Sequence, residues 1–156
     1  MPDPQPSAAD LADRHFQEGY NCAQSVLWAV SETCGPACPA CIPAVALAMG
    51  GGIGHSGNAC GALTGAVMAI GLAADRAVEG SIWDKKAEAI RLAGVLVRRF
   101  TERFGSPQCA AILGFAWADA GALERFQRED AKARKCTPCV RWAAEEAARL
   151  LGDLGG

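Results

Sequence analysis

The most apolar stretch of the chain, residues 59–74, constrains its fold more than any other sequence feature. It is shorter than the roughly 20 residues that a membrane-spanning helix needs, and it contains Gly61, Gly65 and Gly71. A buried core helix is therefore the better interpretation. We predict a long helix over residues 59–77 and no membrane span.

Caps and apolar spacing indicate the other long helices. Ser7 can cap a first helix that ends near Gly19, and Asn21 can cap a second that ends near Cys34. Ser81 can cap the helix that follows the core helix. The spacing in that helix predicts one apolar face, formed by Ile90, Ala93, Gly94, Val97 and Phe104.

The remaining segments predict shorter elements. Residues 44–49 should form a short helix, Ser106-Pro107 should place Cys109 in the first turn of another, and residues 115–134 should form a loop with one helical piece. A last helix should start near Thr137-Pro138. No segment has a convincing strand pattern, so we expect an all-α fold: a compact bundle of about four long helices plus short helices, with no sheet.

The length and the N-terminus bear on domain organisation and location. At 156 residues the chain has the size of one domain. We expect a disordered lead over residues 1–6, which hold three prolines, and a single helical domain over residues 7–156. The N-terminus lacks the basic and apolar regions of a secretory signal, which indicates a cytoplasmic protein.

Charge and motif content exclude several functions. The net charge is −2, with 15 basic and 17 acidic residues and no long run of either sign, so no nucleic acid partner is expected. No Ser-His-Asp set or placed carboxylate pair supports hydrolase chemistry, and no transferase signature is present. We interpret His15 as structural, and His55 as more often facing solvent than acting as a ligand or proton donor.

A glycine-rich turn precedes the core helix. Gly52, Gly54 and Gly57 satisfy the G-x-G-x-x-G pattern, and Asp75 lies near the position of a ribose-binding acid. A dinucleotide fold would need a strand before the turn and several further strands, and no Walker lysine follows the glycines. We therefore expect the turn to deliver Cys60 rather than to bind phosphate.

Eight cysteines are many for a chain of this length, and in a reducing cytoplasm they favour metal binding or redox work over structural disulfides. Four of them lie at or beside predicted helix starts: Cys22, Cys60, Cys109 and Cys136. The free N–H groups and partial positive charge of a helix start stabilise thiolates. If these starts converge, the four thiolates could hold iron or zinc, with the amides of Gly61 and Ala62 donating to cluster sulfurs.

Several motifs together resemble one protein family. They are YNCAQSV at 20–26, GGGIG and CGALTG at 50–54 and 60–65, RFGSPQC at 103–109 and KCTPCVRWAAE at 135–145. This pattern is similar to that of the C_GCAxxG_C_C family, small proteins named for suspected redox activity. The resemblance implies Cys22, Cys60, Cys109 and Cys136 as the shared set, with an iron–sulfur cluster or dithiol chemistry as its purpose. A related helical domain accompanies haem in split-Soret cytochromes, but this chain has no C-x-x-C-H motif for covalent haem.

The other four cysteines, Cys34, Cys38, Cys41 and Cys139, are additional to that set and leave three alternatives open. They could hold a second cluster, since Cys22 and Cys34 would be about 18 Å apart along one straight helix. Cys38-x2-Cys41 with Cys136-x2-Cys139 could instead bind structural zinc. The loop could also hold a disulfide, such as one between Cys34 and Cys41.

Three functions follow as hypotheses. The first is a cytoplasmic iron–sulfur protein for electron transfer or redox sensing, with a 2Fe-2S or 4Fe-4S cluster on the shared set and a redox partner protein. The second is a metal-free thiol–disulfide oxidoreductase using Cys60 and one of the other three. The third is a zinc-stabilised binding module that serves a larger oxidoreductase or transporter. A homodimer is compatible with the alanine- and glycine-rich bundle.

Overall fold

The computed structural model describes residues 4–34 and 40–155. Within these residues it has eight α-helices: α1 (Ala8–Gln17), α2 (Cys22–Cys34), α3 (Ile42–Val45), α4 (Gly61–Ala77), α5 (Ile82–Phe104), α6 (Cys109–Leu113), α7 (Ala122–Arg128) and α8 (Thr137–Gly152). A π-helical turn, Lys132–Cys136, leads into α8, and a 3-10 turn, Asp153–Gly155, follows it. The same residues contain no strand, only one isolated bridge between Ala59 and Gln108, so the predicted all-α class is confirmed.

The long helices begin where the sequence predicts them. The Ser7 hydroxyl accepts the N–H of Asp10 at 3.1 Å, and Ser81 and Asp84 form a capping box at the start of α5. Asn21 and Gln24 do the same for α2, because Gln24 N donates to Asn21 Oδ1 at 2.8 Å and Asn21 N donates to Gln24 Oε1 at 3.1 Å. Each side chain thus satisfies a backbone N–H that the helix leaves free.

The core helix predicted from the apolar stretch is α4, which packs against α2, α5 and α8. Small residues bring α2 and α4 together, since a Cβ on Gly65 would overlap the backbone of Ala23. The apolar stripe of α2, formed by Val26, Leu27 and Val30, is fully buried. Among residues 4–34 and 40–155, no helix combines the length and hydropathy that crossing a membrane requires.

Helix α5 corrects one sequence prediction. Its buried side chains are Leu92, Leu96 and Phe100, whereas Ile90 is 67% exposed. The helix carries apolar residues on more than one side, and contacts with α4 and α8 select the Leu92 face. Spacing within the helix does not say which apolar stripe meets the rest of the bundle.

The start of α8 differs from the sequence prediction. Cys136 does not follow a loop, because the chain is already helical from residue 131 and passes through the π-helical turn into α8. The N–H of Thr137 donates to the carbonyl of Lys132, so it is not one of the unpaired N–H groups that a helix start offers. A wide turn just ahead of Pro138 suits a residue that has no N–H to donate, and such π-helical insertions are frequent at functional sites.

The shorter elements lie close to their predicted positions. The helix expected over residues 44–49 is α3, which begins two residues and ends four residues earlier than predicted, and α6 begins at Cys109 itself rather than at Pro107. The segment 115–134 contains α7 and a loop, as expected. Part of the predicted disordered lead, residues 1–3, lies outside the described residues, as does Cys38.

Candidate functional site

Five cysteine side chains line one cavity of about 310 Å³. Four are the predicted set, and the fifth is the nearby Cys139: Cys22, Cys60, Cys109, Cys136 and Cys139. They come from the first residue of α2, the N-cap of α4, the first residue of α6, the π-helical turn and the first turn of α8. The bundle therefore gathers thiols that are widely separated in the sequence.

The glycine turn forms one side of this cavity through an unusual backbone path. Five consecutive residues have positive φ: Gly51 (66°), Gly52 (74°), Ile53 (69°), Gly54 (57°) and His55 (58°). Left-handed backbone costs about 1–2 kcal/mol for each residue with a side chain, and glycines occupy three of the five positions. The turn is closed internally, since His55 N donates to Gly50 O at 3.1 Å and Asn58 N donates to Gly52 O at 3.0 Å.

Backbone pairing brings Cys60 and Cys109 to the same place. Cys60 N donates to Pro107 O at 2.8 Å, and Cys109 N donates to Asn58 O at 2.7 Å. Gly52 fits beneath this pairing, because a Cβ there would lie 2.7 Å from Cys109 Cβ. The glycine that looks like part of a phosphate loop instead allows two cysteine segments to approach each other.

Cys22 is placed by the cap of α2. The Asn21 amide donates to the carbonyls of Ala46 and Leu47 at 3.1 and 2.9 Å, so the start of α2 is tied to the segment that leads into the glycine turn. Gly61 lies directly against Cys22, since a Cβ on Gly61 would overlap Cys22 Sγ. The Gly in the Cys-Gly-Ala motif thus makes room for a second thiol.

Burial and mutual repulsion keep most of these thiols protonated. Burial, together with Cys60 and Cys109, raises the pKa of Cys22 from 9.0 to about 12. Burial, followed by Cys22, Cys60 and Cys109, also raises the pKa of Cys136. The four thiols of the predicted set are therefore within electrostatic range of one another.

Cys60 and Cys139 form a closer pair. The Cys139 thiol donates a hydrogen bond to the Cys60 sulfur, and this bond lowers the pKa of Cys60 against the opposing effect of burial. The N–H groups of Ala62 and Leu63 at the start of α4 lower that pKa further. The same hydrogen bond, with burial, raises the pKa of Cys139.

Trp117 and His55 stand beside Cys109. Burial raises the pKa of Cys109, and the indole N–H of Trp117 opposes the rise because it favours the thiolate. That N–H is buried and has no well-aligned acceptor. His55 is exposed and its ring stacks on Trp117, with centroids 4.4 Å apart and an interplanar angle of 12°. His55 therefore faces solvent, as predicted, and it also lines the cavity.

The far wall of the cavity is apolar. It is formed by Phe16, Ile112, Leu113, Leu123 and Phe126. Lys132 is the one lysine, arginine or carboxylate residue among the described residues that line the cavity; its Nζ donates to Phe16 O at 2.9 Å. The thiols thus face a space that contains little charge to compete with a bound ion or cluster.

The remaining candidates lie elsewhere. Cys34 and Cys41 are exposed and do not line the cavity, and Cys38 is outside the described residues, so the second-site alternatives stay predictions. His15 is buried, stacks on Trp28 at 3.9 Å and lies 3.3 Å from Glu32 through Nε2. Within residues 4–34 and 40–155, no three His, Cys, Asp or Glu side chains are grouped closely enough to hold a single metal ion.

Comparison with known proteins bears on the family. Residues 20–150 match the family model described as "Putative redox-active protein (C_GCAxxG_C_C)". The chain belongs to this family. The C_GCAxxG_C_C match spans all five cavity cysteines and the glycine turn, and it supports redox activity as the general function. No curated protein and no solved structure matches the chain.

Sequence reasoning missed several features of the site. It separated Cys139 from the predicted set, although a residue three positions after Cys136 on one helix lies on nearly the same face. The amides of Gly61 and Ala62 as donors to cluster sulfurs stay a prediction, and the structure adds that the N–H groups of Ala62 and Leu63 lower the pKa of the Cys60 thiol. The N–H groups of Ala23 and Gly51 similarly favour the Cys22 thiolate. Only the fold brings Gly51 to Cys22, so no sequence pattern could have shown that contact.

Proposed function

We propose that this chain is an iron–sulfur protein for electron transfer or redox sensing, and that Cys22, Cys60, Cys109 and Cys136 hold its cluster. One observation carries the proposal: these four thiols, from widely separated segments of the chain, line a single cavity. Cysteine thiolates are the usual ligands of iron–sulfur clusters.

The electrostatics support a cationic occupant. Without metal, burial and then the neighbouring thiols raise the pKa of Cys22, Cys109 and Cys136, so these three thiols hold their protons at neutral pH. Iron ions among them would favour the thiolate form and release these protons. Cluster binding should therefore become tighter as the pH rises from acid to neutral.

The backbone supports negative sulfur at the same place. The N–H groups of Ala62 and Leu63 favour charge on Cys60, and those of Ala23 and Gly51 favour charge on Cys22. Hydrogen bonds to ligand sulfurs stabilise a cluster and tune its potential. The Trp117 indole N–H would act in the same way on Cys109.

The size of the cavity favours a cluster over a single zinc ion. A zinc ion lies about 2.3 Å from each of four thiolate sulfurs, so that such a site encloses almost no free volume. The cavity here, at about 310 Å³, is near the lower end of the range for small-molecule pockets, roughly 300–1,000 Å³. A multi-atom cluster uses such a space better than one ion does.

The test is anaerobic purification, followed by reconstitution with iron and sulfide. We expect brown protein with equal iron and acid-labile sulfide, and an electron paramagnetic resonance signal in one redox state. Cys60→Ala and Cys136→Ala should each lose most of the visible absorbance. The matched control is Cys34→Ala with Cys41→Ala, since these thiols are exposed and outside the cavity.

The outcomes separate the functional classes. Colourless, iron-free protein after reconstitution would refute the cluster. Stoichiometric zinc without redox activity would favour the binding module, and a reversible two-electron titration without metal would favour the thiol–disulfide oxidoreductase. Loss of colour in the double control variant, with colour kept in Cys136→Ala, would move the site to the exposed cysteines.

A further inference from the structure

Helix α5 has two apolar faces, and the bundle covers only one of them. The buried face consists of Leu92, Leu96 and Phe100, on the side where α5 contacts α4 and α8. On the opposite side, Trp83 is 71% exposed and Ile90 is 67% exposed. A helix that packs against a core on one side usually carries polar residues on the other. The second apolar face of α5 is therefore unexplained by the fold of a single chain.

The exposed face has the residue spacing of a helix–helix interface. Its members follow one another at alternating steps of four and three residues. They are Trp83, Ala87, Ile90, Gly94, Val97 and Thr101, which we call the α5 seam. This is the 3.5-residue repeat with which one helix packs along another.

The seam is open to an incoming helix. Ala87 is exposed, and Val97 is half-buried. Among the described residues, only the end of the Arg98 side chain lies within 4 Å of a Cβ built on Gly94, at 3.7 Å. Large and small residues alternate along the seam, so that it presents knobs and gaps in turn.

We propose that the α5 seam joins two copies of this chain as an antiparallel pair of α5 helices, with the twofold axis near residue 92. In a parallel pair each seam residue would meet its own copy, so that Trp83 would crowd Trp83 and Gly94 would leave a gap at Gly94. In the antiparallel pair every large residue meets a small one. The seam of one copy is thus complementary to itself, and the inference does not rest on the proposed cluster.

The length of α5 fixes the register of this pair. With the axis near residue 92, Ile90 meets Gly94 of the other copy, Val97 meets Ala87, and Trp83 meets Thr101. A shift of one heptad in one direction would leave Trp83 beyond the end of the other helix, and a shift in the opposite direction would do the same to Val97. The proposed register is therefore the one that covers all the large seam residues.

Charges beside the seam agree with the same register. Asp84 and Arg98 lie on one flank of the seam, and the antiparallel pair brings Asp84 of each copy to Arg98 of the other. Arg98 has no ion partner among residues 4–34 and 40–155. Arg91, which lies near the axis, donates to Glu88 of its own chain at 2.8 and 2.6 Å, so its charge is compensated where the copies meet. Such pairs set orientation more than affinity.

Trp83 supplies much of the apolar area of the interface. An aromatic side chain buries about 150–250 Å², so the two tryptophans, each 71% exposed, would bury roughly 200–350 Å². Stable interfaces bury about 1,200–2,000 Å² in total, and the remaining seam pairs must provide the rest along about 27 Å of helix. An interface of this size is modest, so we expect the dimer to dissociate on dilution.

The first experiment is sedimentation equilibrium of metal-free, full-length protein from about 1 μM to about 300 μM. Dithiothreitol is present throughout, because Cys34 and Cys41 are exposed and would otherwise form disulfides between chains. We expect twice the chain mass of 16.2 kDa at high concentration and a fall toward one chain on dilution. A single-chain mass over the whole range would overturn the proposal.

Substitutions in the seam separate association from folding. Leucine favours helix more than glycine and has open space at position 94, so Gly94→Leu should raise the urea midpoint of the monomer. The same leucine would collide with Ile90 of the other copy and weaken the dimer about tenfold or more. Ile90→Lys should weaken it similarly, because the ammonium group would be buried in the interface.

The matched control is Leu47→Lys, which changes an equally exposed apolar residue outside α5 and should leave the dimer intact. A dimer that persists in either seam variant, or one that Leu47→Lys dissociates, would overturn the assignment of the interface.

Cross-linking tests the direction of the helices. The parent for this test has serine at Cys34, Cys38 and Cys41. Ala87→Cys and Val97→Cys are about 15 Å apart within one chain, too far for a disulfide, but face each other across the antiparallel pair. Mild oxidation should therefore give a covalent dimer, reversible by dithiothreitol, in the double variant and in neither single variant. A covalent dimer of Ala87→Cys alone would indicate parallel helices and overturn the proposed arrangement.

Discussion

The Sγ of Cys22 occupies the space that a side chain at Gly61 would need, because a Cβ at position 61 would overlap this sulfur. The contact joins the N-terminal turns of α4 and α2 at the cavity wall. Glycine at this position is therefore a steric requirement of the thiol cluster, independent of helix flexibility.

Gly61→Ala should damage the site more than a glycine replacement elsewhere in α4. The added methyl group must displace Cys22 or separate the two helices, which should destabilise the protein by about 1–3 kcal/mol. Urea unfolding measures this change, and iron content after reconstitution measures its effect on the site. The control is Gly71→Ala in the same helix, where no atom lies within 4 Å of the added Cβ and alanine should be neutral or stabilising by up to about 1 kcal/mol. Equal stability of the two variants would contradict the overlap.

Ile53 carries backbone strain within the left-handed turn. Its φ is 69°, a region that β-branched residues rarely adopt, and its side chain is 45% exposed. Ile53→Gly should therefore raise the free energy of unfolding by about 1 kcal/mol, since relief of strain outweighs the extra entropy of the unfolded chain. Ile53→Val keeps the branched Cβ and should change stability little. A less stable glycine variant would mean that packing of Ile53 matters more than its strain.

The stability of the metal-free, reduced protein should fall at alkaline pH. Burial raises the pKa of Cys22 from 9.0 to about 12, so this thiol binds its proton more tightly in the folded chain than in the unfolded one. The resulting stabilisation is complete below about pH 9 and is lost as the pH rises through 12. Each such thiol contributes a slope of up to about 1.4 kcal/mol per pH unit.

Cys22→Ser tests that slope. Urea midpoints between pH 8 and pH 11 should fall less steeply for this variant than for the parent. Cys34→Ser, which changes an exposed cysteine outside the cavity, should keep the parent profile. A parent whose stability is flat over this range would refute burial of a neutral Cys22 thiol.

Helix starts were predictable from sequence because their causes are local. Ser7, Asn21 and Ser81 each have a side chain that reaches an N–H within the next three residues, so the cap can be recognised without the fold. The apolar core helix was predictable for a similar reason: no other segment is as long and as uniformly apolar.

The features that the sequence did not predict depend on contacts that no local sequence pattern reveals. Packing against α4 and α8 decides which face of α5 is buried. Ile90 lies outside that face and is 67% exposed. The π-helical turn before Pro138 continues a helix that composition alone suggested would begin at Thr137. The left-handed path through Ile53 is held by bonds to residues up to six positions away, and G-x-G-x-x-G does not distinguish it from a phosphate loop.

Backbone hydrogen bonds join Asn58 to Cys109 and Cys60 to Pro107, and they hold together the two ends of the segment between these residues. Everything between these points, α4 and α5 with their connection at Val78–Ser81, leaves the thiol cavity and returns to it at the same place. The distal tip of that hairpin is thus a natural position for an inserted tag or reporter domain, because its two ends are already fastened where the cysteines converge.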